Sequence, residues 1–324
     1  MKVALPKIVI IGESIVREGV QHEEHFIPTE AKIWLINHLA QAGFKRIEVT
    51  NFAPSKFVPH FRDAELVLQG IERIEGVDYQ ALTLSNSAVK RAVECCKNGY
   101  GPTTAVAGLA TSEAYSKKNF GGDSEKILGR VGEWAKILID NGMKFCGNIS
   151  TVFGCALEGR VPLEKGYILA DKMAEMGATS IIYGDTHGDG TPDRSYEFFS
   201  EIKKRLPEIH HIAHFHDTRG WGIANCFAAL EAGIEFFDAS MGGIGGQVST
   251  MLDRIPIPGV GKRATPSDIM GNVSTEDLIV LLDEMGIDTG IDIEMALEIG
   301  RTVEKIFGRR LNSKCVETGR IVNK

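Results

Sequence analysis

Short apolar runs alternate with longer stretches of helical spacing along almost the whole chain. The runs Lys7–Glu13, Arg46–Phe52, Val77–Leu84, Thr104–Leu109, Phe145–Thr151, Ser180–Asp185, His211–His216 and Phe236–Met241 read as strands. Between them the apolar positions recur with a helical period. Ile33, Leu35, Ile36 and Leu39 precede Ala42-Gly43, and Ile127, Val131, Trp134, Ile137 and Leu138 precede Asn141-Gly142. The same helix-then-glycine junction returns at Met176-Gly177 and Ala232-Gly233, where a glycine can cap one helix ahead of the next parallel strand. Eight strand–helix units predict an α/β protein, a (β/α)8 TIM barrel over residues 1–246, and not a doubly wound sheet, whose glycine fingerprint is missing. Gly242-Gly243-Ile244-Gly245-Gly246 has the spacing of neither glycine-rich phosphate motif and reads as a flexible loop after the eighth strand.

Beyond that loop the pattern changes. Gln247 to Gly271 is rich in proline and glycine and is expected to form a long lid loop. Thr275 to Gly286 predicts a helix, with Ser274 or Thr275 as its cap and Leu278, Leu281, Leu282 and Met285 as its apolar stripe. A second helix is expected over residues 291–310. Residues 247–324 are therefore expected to be a C-terminal helical extension packed on the barrel, within a single domain.

Composition narrows the function. The chain has 324 residues, 43% hydrophobic and 24% charged, which is ample for a globular core. A net charge of −7 gives no electrostatic support for nucleic-acid binding. No segment approaches the roughly 20 apolar residues that cross a bilayer, and Ile8–Ile11 runs into Gly12-Glu13 too soon for the core of a signal peptide. Six cysteines without a C-x-x-C pair read as reduced thiols, which points to the cytoplasm.

The chemistry gathers at the ends of the strands. Ile212-Ala213-His214-Phe215-His216-Asp217 carries two histidines two residues apart, so on a strand both imidazoles share one face. In a barrel, polar residues at the C-terminal ends of strands face the catalytic mouth. Read in order, those ends offer Arg17 and Glu18, then Glu48 and Asn51, then Ser85 and Asn86, then Ser150, Asp185, and His214 with His216. Glu18, His214 and His216, completed by an amide such as Asn272, make a mixed oxygen and nitrogen donor set. That set suits Mg2+ or Mn2+ better than a closed structural zinc site, with Zn2+ still open. Arg17 beside such an ion could stabilise a developing oxyanion or enolate.

These blocks resemble the DRE-TIM metallolyase superfamily and, within it, the 3-hydroxy-3-methylglutaryl-CoA lyases. The resemblance runs through nearly the whole length. It is carried by Arg17-Glu18-Gly19-Val20-Gln21-His22-Glu23 beside the family's R-D-G-L-Q-N-E, and by Ile47-Glu48-Val49-Thr50-Asn51-Phe52. Ser112 to Asn119, Gly154 to Gly159, Gly184-Asp185-Thr186, His214 to Thr218 and Gly271 to Leu278 continue it. It implies metal ligation by Glu18, His214, His216 and Asn272, with Arg17 as enolate stabiliser and Glu48 and Asp185 near the substrate. Asp185, with or without His214, would take the proton from the substrate hydroxyl, and Gln21, Asn51, Ser150 and Gln247 would contact the substrate. The implied reaction is retro-Claisen, aldol-like cleavage of a 3-hydroxyacyl-CoA to acetyl-CoA and a keto acid. The implied partner is a small-molecule acyl-CoA, with a homodimer open.

Two positions depart from that family. Its aspartate ligand is Glu18 here, whose extra methylene moves the carboxylate by roughly an ångström or more. The cysteine of its glycine-rich loop is Gln247 here, which donates a hydrogen bond but shuttles no proton near neutral pH. Cys155 reads as a packed thiol and no stand-in for that cysteine. The lid segment is longer than the family's and carries Asp253-Arg254 and Lys262-Arg263, either toward CoA phosphates or as a solvated surface. His187 reads equally as a substrate contact or an exposed loop histidine. A Claisen-condensing synthase and a binding barrel without catalysis are the rival expectations.

Overall fold

The computed structural model describes residues 4–21, 23–246, 251–252, 255–256 and 271–321. Strands β1 (Ile10–Glu13), β2 (Arg46–Asn51), β3 (Asp78–Leu82), β4 (Thr104–Ala110), β5 (Lys144–Ser150), β6 (Ser180–Asp185), β7 (His210–Phe215) and β8 (Phe236–Ala239) close into a parallel barrel. Ring closure comes from β1, which pairs in parallel with β8 on one side and β2 on the other. The barrel expected from the hydrophobic pattern is present, with each strand where the apolar runs placed it. Strand β1 starts later than its run because Ile8 instead forms an isolated bridge with Asp288.

Each strand leads into a helix: α1 (Thr29–Gln41), α2 (Ala64–Gly70), α3 (Asn86–Lys97), α4 (Ser124–Asp140), α5 (Leu163–Glu175), α6 (Pro192–Arg205), α7 (Gly222–Glu231) and α8 (Thr275–Glu284). Helix α9 (Ile293–Phe307) follows. Local chemistry starts several of them. Ser85 accepts from Ala88 N at the start of α3, Asp123 from Lys126 N at α4, and Ser274 from Asp277 N at α8. On α4 the stripe Ile127, Val131, Trp134 and Leu138 is buried, whereas Ile137 falls at the stripe's edge and is exposed. At the turn after α1, Gly43 has φ +101° and a Cβ there would lie 2.3 Å from Gly290 O, so this junction needs both the missing side chain and the left-handed backbone.

Strand alternation separates two cores. Leu82, Val106, Cys146, Ile182 and Ile212 point inward and fill the barrel's interior. Ile47, Val49, Phe145, Tyr183, Phe215 and Phe237 point outward against helix residues such as Leu35, Trp134, Leu138 and Phe198. Each such buried side chain contributes about 1.5–3 kcal/mol of hydrophobic stabilisation. The same alternation decides which polar residues reach the mouth, with one exception. The β2–β3 register slips between Glu48 and Thr50, so that Asn51 comes opposite the inward-facing Leu82. Gln247, Asp253-Arg254, Lys262-Arg263 and most of the expected lid lie outside the described residues.

Candidate active site

Three segments deliver the central polar groups at the C-terminal mouth. After β1 the chain makes one π-turn, Ile15–Gly19, which turns Arg17 and Glu18 into the barrel, both buried. β7 carries His214, and His216 follows directly after it. Asn272 arrives from far along the sequence because residues 271–273 lie against the end of β7. Asp217 N donates to Gly271 O (2.8 Å), Val273 N donates to Phe215 O (3.2 Å), and Asn272 forms a bridge with His216.

The donors converge. Glu18 Oε1 lies 3.0 Å from His216 Nε2, and Glu18 Oε2 lies 3.4 Å from His214 Nε2. The two Nε2 atoms are 3.1 Å apart. One ligand atom from each of the three residues falls within 4.8 Å of the others, which is the spacing of a metal-binding group. His216 Nδ1 meets Thr186 O at 2.8 Å and His214 Nδ1 meets Asp238 Oδ2 at 3.2 Å, so each ring is held from behind with Nε2 turned inward. Asn272 donates from Nδ2 to Ile244 O (3.2 Å), while its buried Oδ1 has no hydrogen-bond partner. A buried carbonyl oxygen without a partner, on a residue bridged to His216, is a group that a divalent cation would satisfy.

Electrostatics favour added positive charge at this point. Burial alone would raise Glu18, but the Arg17 charge and the bonds from both histidines outweigh it and hold the carboxyl well below its usual range. Burial would lower His214, yet Glu18 and Asp238 push it up to about 10. Two carboxylates that hold a proton on an imidazole will equally attract a metal ion. Arg17 bridges the acids: its Nε donates to Glu48 Oε2 at 2.6 Å and a terminal nitrogen lies 3.0 Å from Glu18 Oε2. Burial raises Glu48 despite that contact, and Glu48 Oε1 has no hydrogen-bond partner.

The extra methylene of Glu18 has a place to go. Gly245, with φ +99°, packs against it so closely that a Cβ there would lie 3.0 Å from Glu18 Cγ. The glycine loop is thus part of the ligand's seat. A cavity of about 300 Å³ opens above these groups, lined by Arg17, Glu18, Gln21, Asn51, Ser150, His214 and His216 among others. Eight of the expected residues, Ser85 among them, therefore share one cavity.

Asp185 does not join them. As the last residue of β6 it has the outward parity of Ile181 and Tyr183, while Ile182 and Gly184 face in. Its carboxylate accepts from Asp189 N (2.7 Å) and Gly190 N (3.1 Å) and so holds the loop that follows β6. Burial pushes this acid up to about 7 against those two bonds. His187 is buried, not exposed, with its ring edge-on to Tyr115 at 5.8 Å. Cys155 packs with Ala110, Tyr115 and Val161 as a buried thiol. Gln247 lies outside the described residues.

The HMGL-like family model matches residues 8–303. This chain belongs to the HMGL-like family. It is 34% identical over 313 residues to the cytoplasmic 3-hydroxy-3-methylglutaryl-CoA lyase of Mus musculus, covering 97% of this chain and 85% of that one. Its structure resembles the HMG-CoA lyase of Bacillus subtilis (TM-score 0.87, 32% identity, 97% and 98% of the two chains). It also resembles an HMG-CoA lyase from Acenitobacter baumannii in complex with coenzyme A and 3-methylmalate (TM-score 0.86, 29% identity, 99% and 98% covered). As an HMGL-like protein the chain is a carbon–carbon lyase.

Some site residues of this HMGL-like barrel escaped the sequence reading. Asp238 lies inside an apolar run, where its signal is a lone carboxylate on the parity of Phe236. Arg46 sits at the first position of β2 and reaches Asp238 Oδ1 at 3.0 Å. Tyr115, from the Ser112–Asn119 block, lines the cavity beside the metal-binding group.

Proposed function

We propose that this lyase is divalent-metal-dependent and cleaves 3-hydroxy-3-methylglutaryl-CoA, or a related branched 3-hydroxyacyl-CoA, to acetyl-CoA and a keto acid. The observation that carries the reading is the convergence of Glu18, His214 and His216 beside Arg17 on one cavity, supported by Asn272, which is bridged to His216 and whose buried Oδ1 has no hydrogen-bond partner. Glu18, His214, His216 and Asn272 would hold the ion, and their mixed oxygen and nitrogen donor set suits Mg2+ or Mn2+ better than a closed structural Zn2+ site. When bound, the ion supplies Lewis-acid polarisation of the substrate's hydroxyl and carbonyl oxygens. The coenzyme A in the Acenitobacter baumannii structure supports an acyl-CoA in the cavity.

The chain's own residues supply the rest. Arg17 is pre-oriented by Glu48 and Glu18, so its guanidinium can meet the negative charge that develops on the thioester oxygen as the carbon–carbon bond breaks. We assign acceptance of the hydroxyl proton to Glu48, whose carboxyl is raised by burial and whose Oε1 carries no hydrogen bond. Asp185 then serves by holding the loop after β6. Gln21, Asn51 and Ser150 would orient the polar groups of the substrate from the cavity wall. Six cysteines without a disulfide suit a reducing compartment, and no described helix is long and apolar enough to cross a membrane. Offering a panel of branched 3-hydroxyacyl-CoA thioesters to the Mn2+-loaded protein and following acetyl-CoA tests this function. Release from at least one member, stopped by a chelator, is expected. No release from any of them, with metal bound, would overturn it.

A further inference from the structure

Asp238 stands outside the groups that face the cavity, yet it is 4% exposed and sits at the centre of a charged row inside the barrel. The row follows from register. Gly12 of β1 is opposite Arg46 of β2 on one side and Asp238 of β8 on the other, and Asp238 is opposite His214 of β7. Four neighbouring strands thus place Arg46, Gly12, Asp238 and His214 on one level. Arg46 reaches across the gap to put a guanidinium nitrogen 3.0 Å from Asp238 Oδ1, and Asp238 Oδ2 lies 3.2 Å from His214 Nδ1.

Gly12 makes the crossing physically available. A Cβ at that position would lie 2.5 Å from Asp238 Oδ1 and 2.7 Å from the Arg46 nitrogen, so any side chain on β1 at this level would occupy the ion pair's own space. Elsewhere the interior is filled with Leu82, Val106, Cys146, Ile182 and Ile212. A buried ion pair is commonly no more stabilising than apolar side chains of the same volume, so stability alone gives no reason to set a charged row into that core. Orientation does. An imidazole whose Nδ1–H donates to a fixed carboxylate presents the lone pair of Nε2 in one direction, here toward Glu18 and His216. Arg46, bound to the other oxygen, keeps that carboxylate from pivoting.

We propose that Asp238 and Arg46 are positioning residues for the metal ligand His214: Asp238 fixes its tautomer and ring plane, and Arg46 acts on it only through Asp238. This deepens the metal-dependent reading and rests on it. The row is spread over β1, β2, β7 and β8, so the barrel's closure itself becomes part of the metal site.

The test is Mn2+ binding to the chelator-stripped full chain, read from the loss of the free-ion electron paramagnetic resonance signal, with melting temperature measured on the same samples. D238N is expected to weaken Mn2+ binding by about 10- to 100-fold. R46M is expected to weaken it less, because the carboxylate survives but can pivot. The double variant R46M/D238N buries no uncompensated charge and so keeps the fold accessible should D238N alone unfold. It is expected to bind Mn2+ as weakly as D238N and no more weakly, while its melting temperature stays near that of the wild type. A merely structural pair would shift melting and leave Mn2+ affinity alone. If the wild type binds Mn2+ and both D238N and the double variant bind within about twofold of it, this inference falls and the proposed function stands. If the wild type itself takes up no Mn2+, both fall.

Discussion

Glu13 ties together the pieces that carry the site, and replacing it by glutamine makes a sharp test. Its Oε1 accepts from Ile15 N (2.8 Å), at the turn that bears Arg17 and Glu18, and from Met241 N (3.0 Å), where the glycine loop begins. Its Oε2 meets Thr275 Oγ1 at 2.5 Å, three residues beyond Asn272. Burial pushes this acid from 4.5 up to about 8, against the three hydrogen bonds that lower it. The folded protein therefore keeps a proton that the unfolded chain releases above pH 4.5. The sign follows from linkage: with a raised carboxyl, the stability contribution is complete below about pH 4.5 and is lost as pH rises through about 8. At about 1.4 kcal/mol for each pH unit, the span amounts to something on the order of 5 kcal/mol. Glutamine resembles the protonated acid in shape and hydrogen bonding and does not titrate, so E13Q should lack this descent. Urea unfolding of both proteins at several values between pH 5 and pH 8.5 reads the difference directly, and the other buried acids, present in both, largely cancel. The wild type should lose several kcal/mol relative to E13Q across that range. Parallel curves, with a gap constant to about 0.5 kcal/mol, would show that Glu13 is ionised in the folded barrel and refute the reasoning.

Three further outcomes bear on the site. Arg17→Met should retain Mn2+ and lower turnover by about 100-fold or more, in line with loss of an oxyanion donor; a decrease of only a few-fold would reduce Arg17 to a substrate-positioning role. His216→Ala should abolish Mn2+ uptake with the far-ultraviolet circular dichroism unchanged, and undiminished uptake would remove His216 from the ligand set. Glu18→Asp should weaken Mn2+ binding and cleavage together, because the carboxylate retreats by roughly an ångström from a seat shaped by Gly245. A gain in cleavage would instead mean that the aspartate geometry is the better one here.

The barrel was legible because its signals are local. Each strand shows as a compact apolar run and each helix as a stripe of period 3.6, and both survive without knowledge of the neighbours. The paired imidazoles of His214 and His216 were legible for the same reason, since a period of two fixes their common face. Register was harder. Asp185 ends a strand at the right height, but its parity matches the outward-facing Tyr183, and strand ends counted without parity mislead. Asn51 reaches the cavity only because of a slip in the β2–β3 ladder that no single-strand pattern announces. Asp238 and Arg46 meet across β1 because of barrel closure, which is a property of the ring and not of either strand. Asn272 was legible only as one example of an amide that could complete the set until the resemblance singled it out, since its seat depends on residues 271–273 lying along β7.

The central claim is that one divalent ion sits at the mouth of this barrel, held by Glu18, His214, His216 and Asn272. Diffraction from crystals of the Mn2+-loaded protein, collected at the manganese absorption edge, addresses it without assumption about substrate. A single anomalous peak within bonding distance of the Glu18 carboxylate, both Nε2 atoms and Asn272 Oδ1 is the expected result. A peak elsewhere, or none with Mn2+ in excess, would contradict the account.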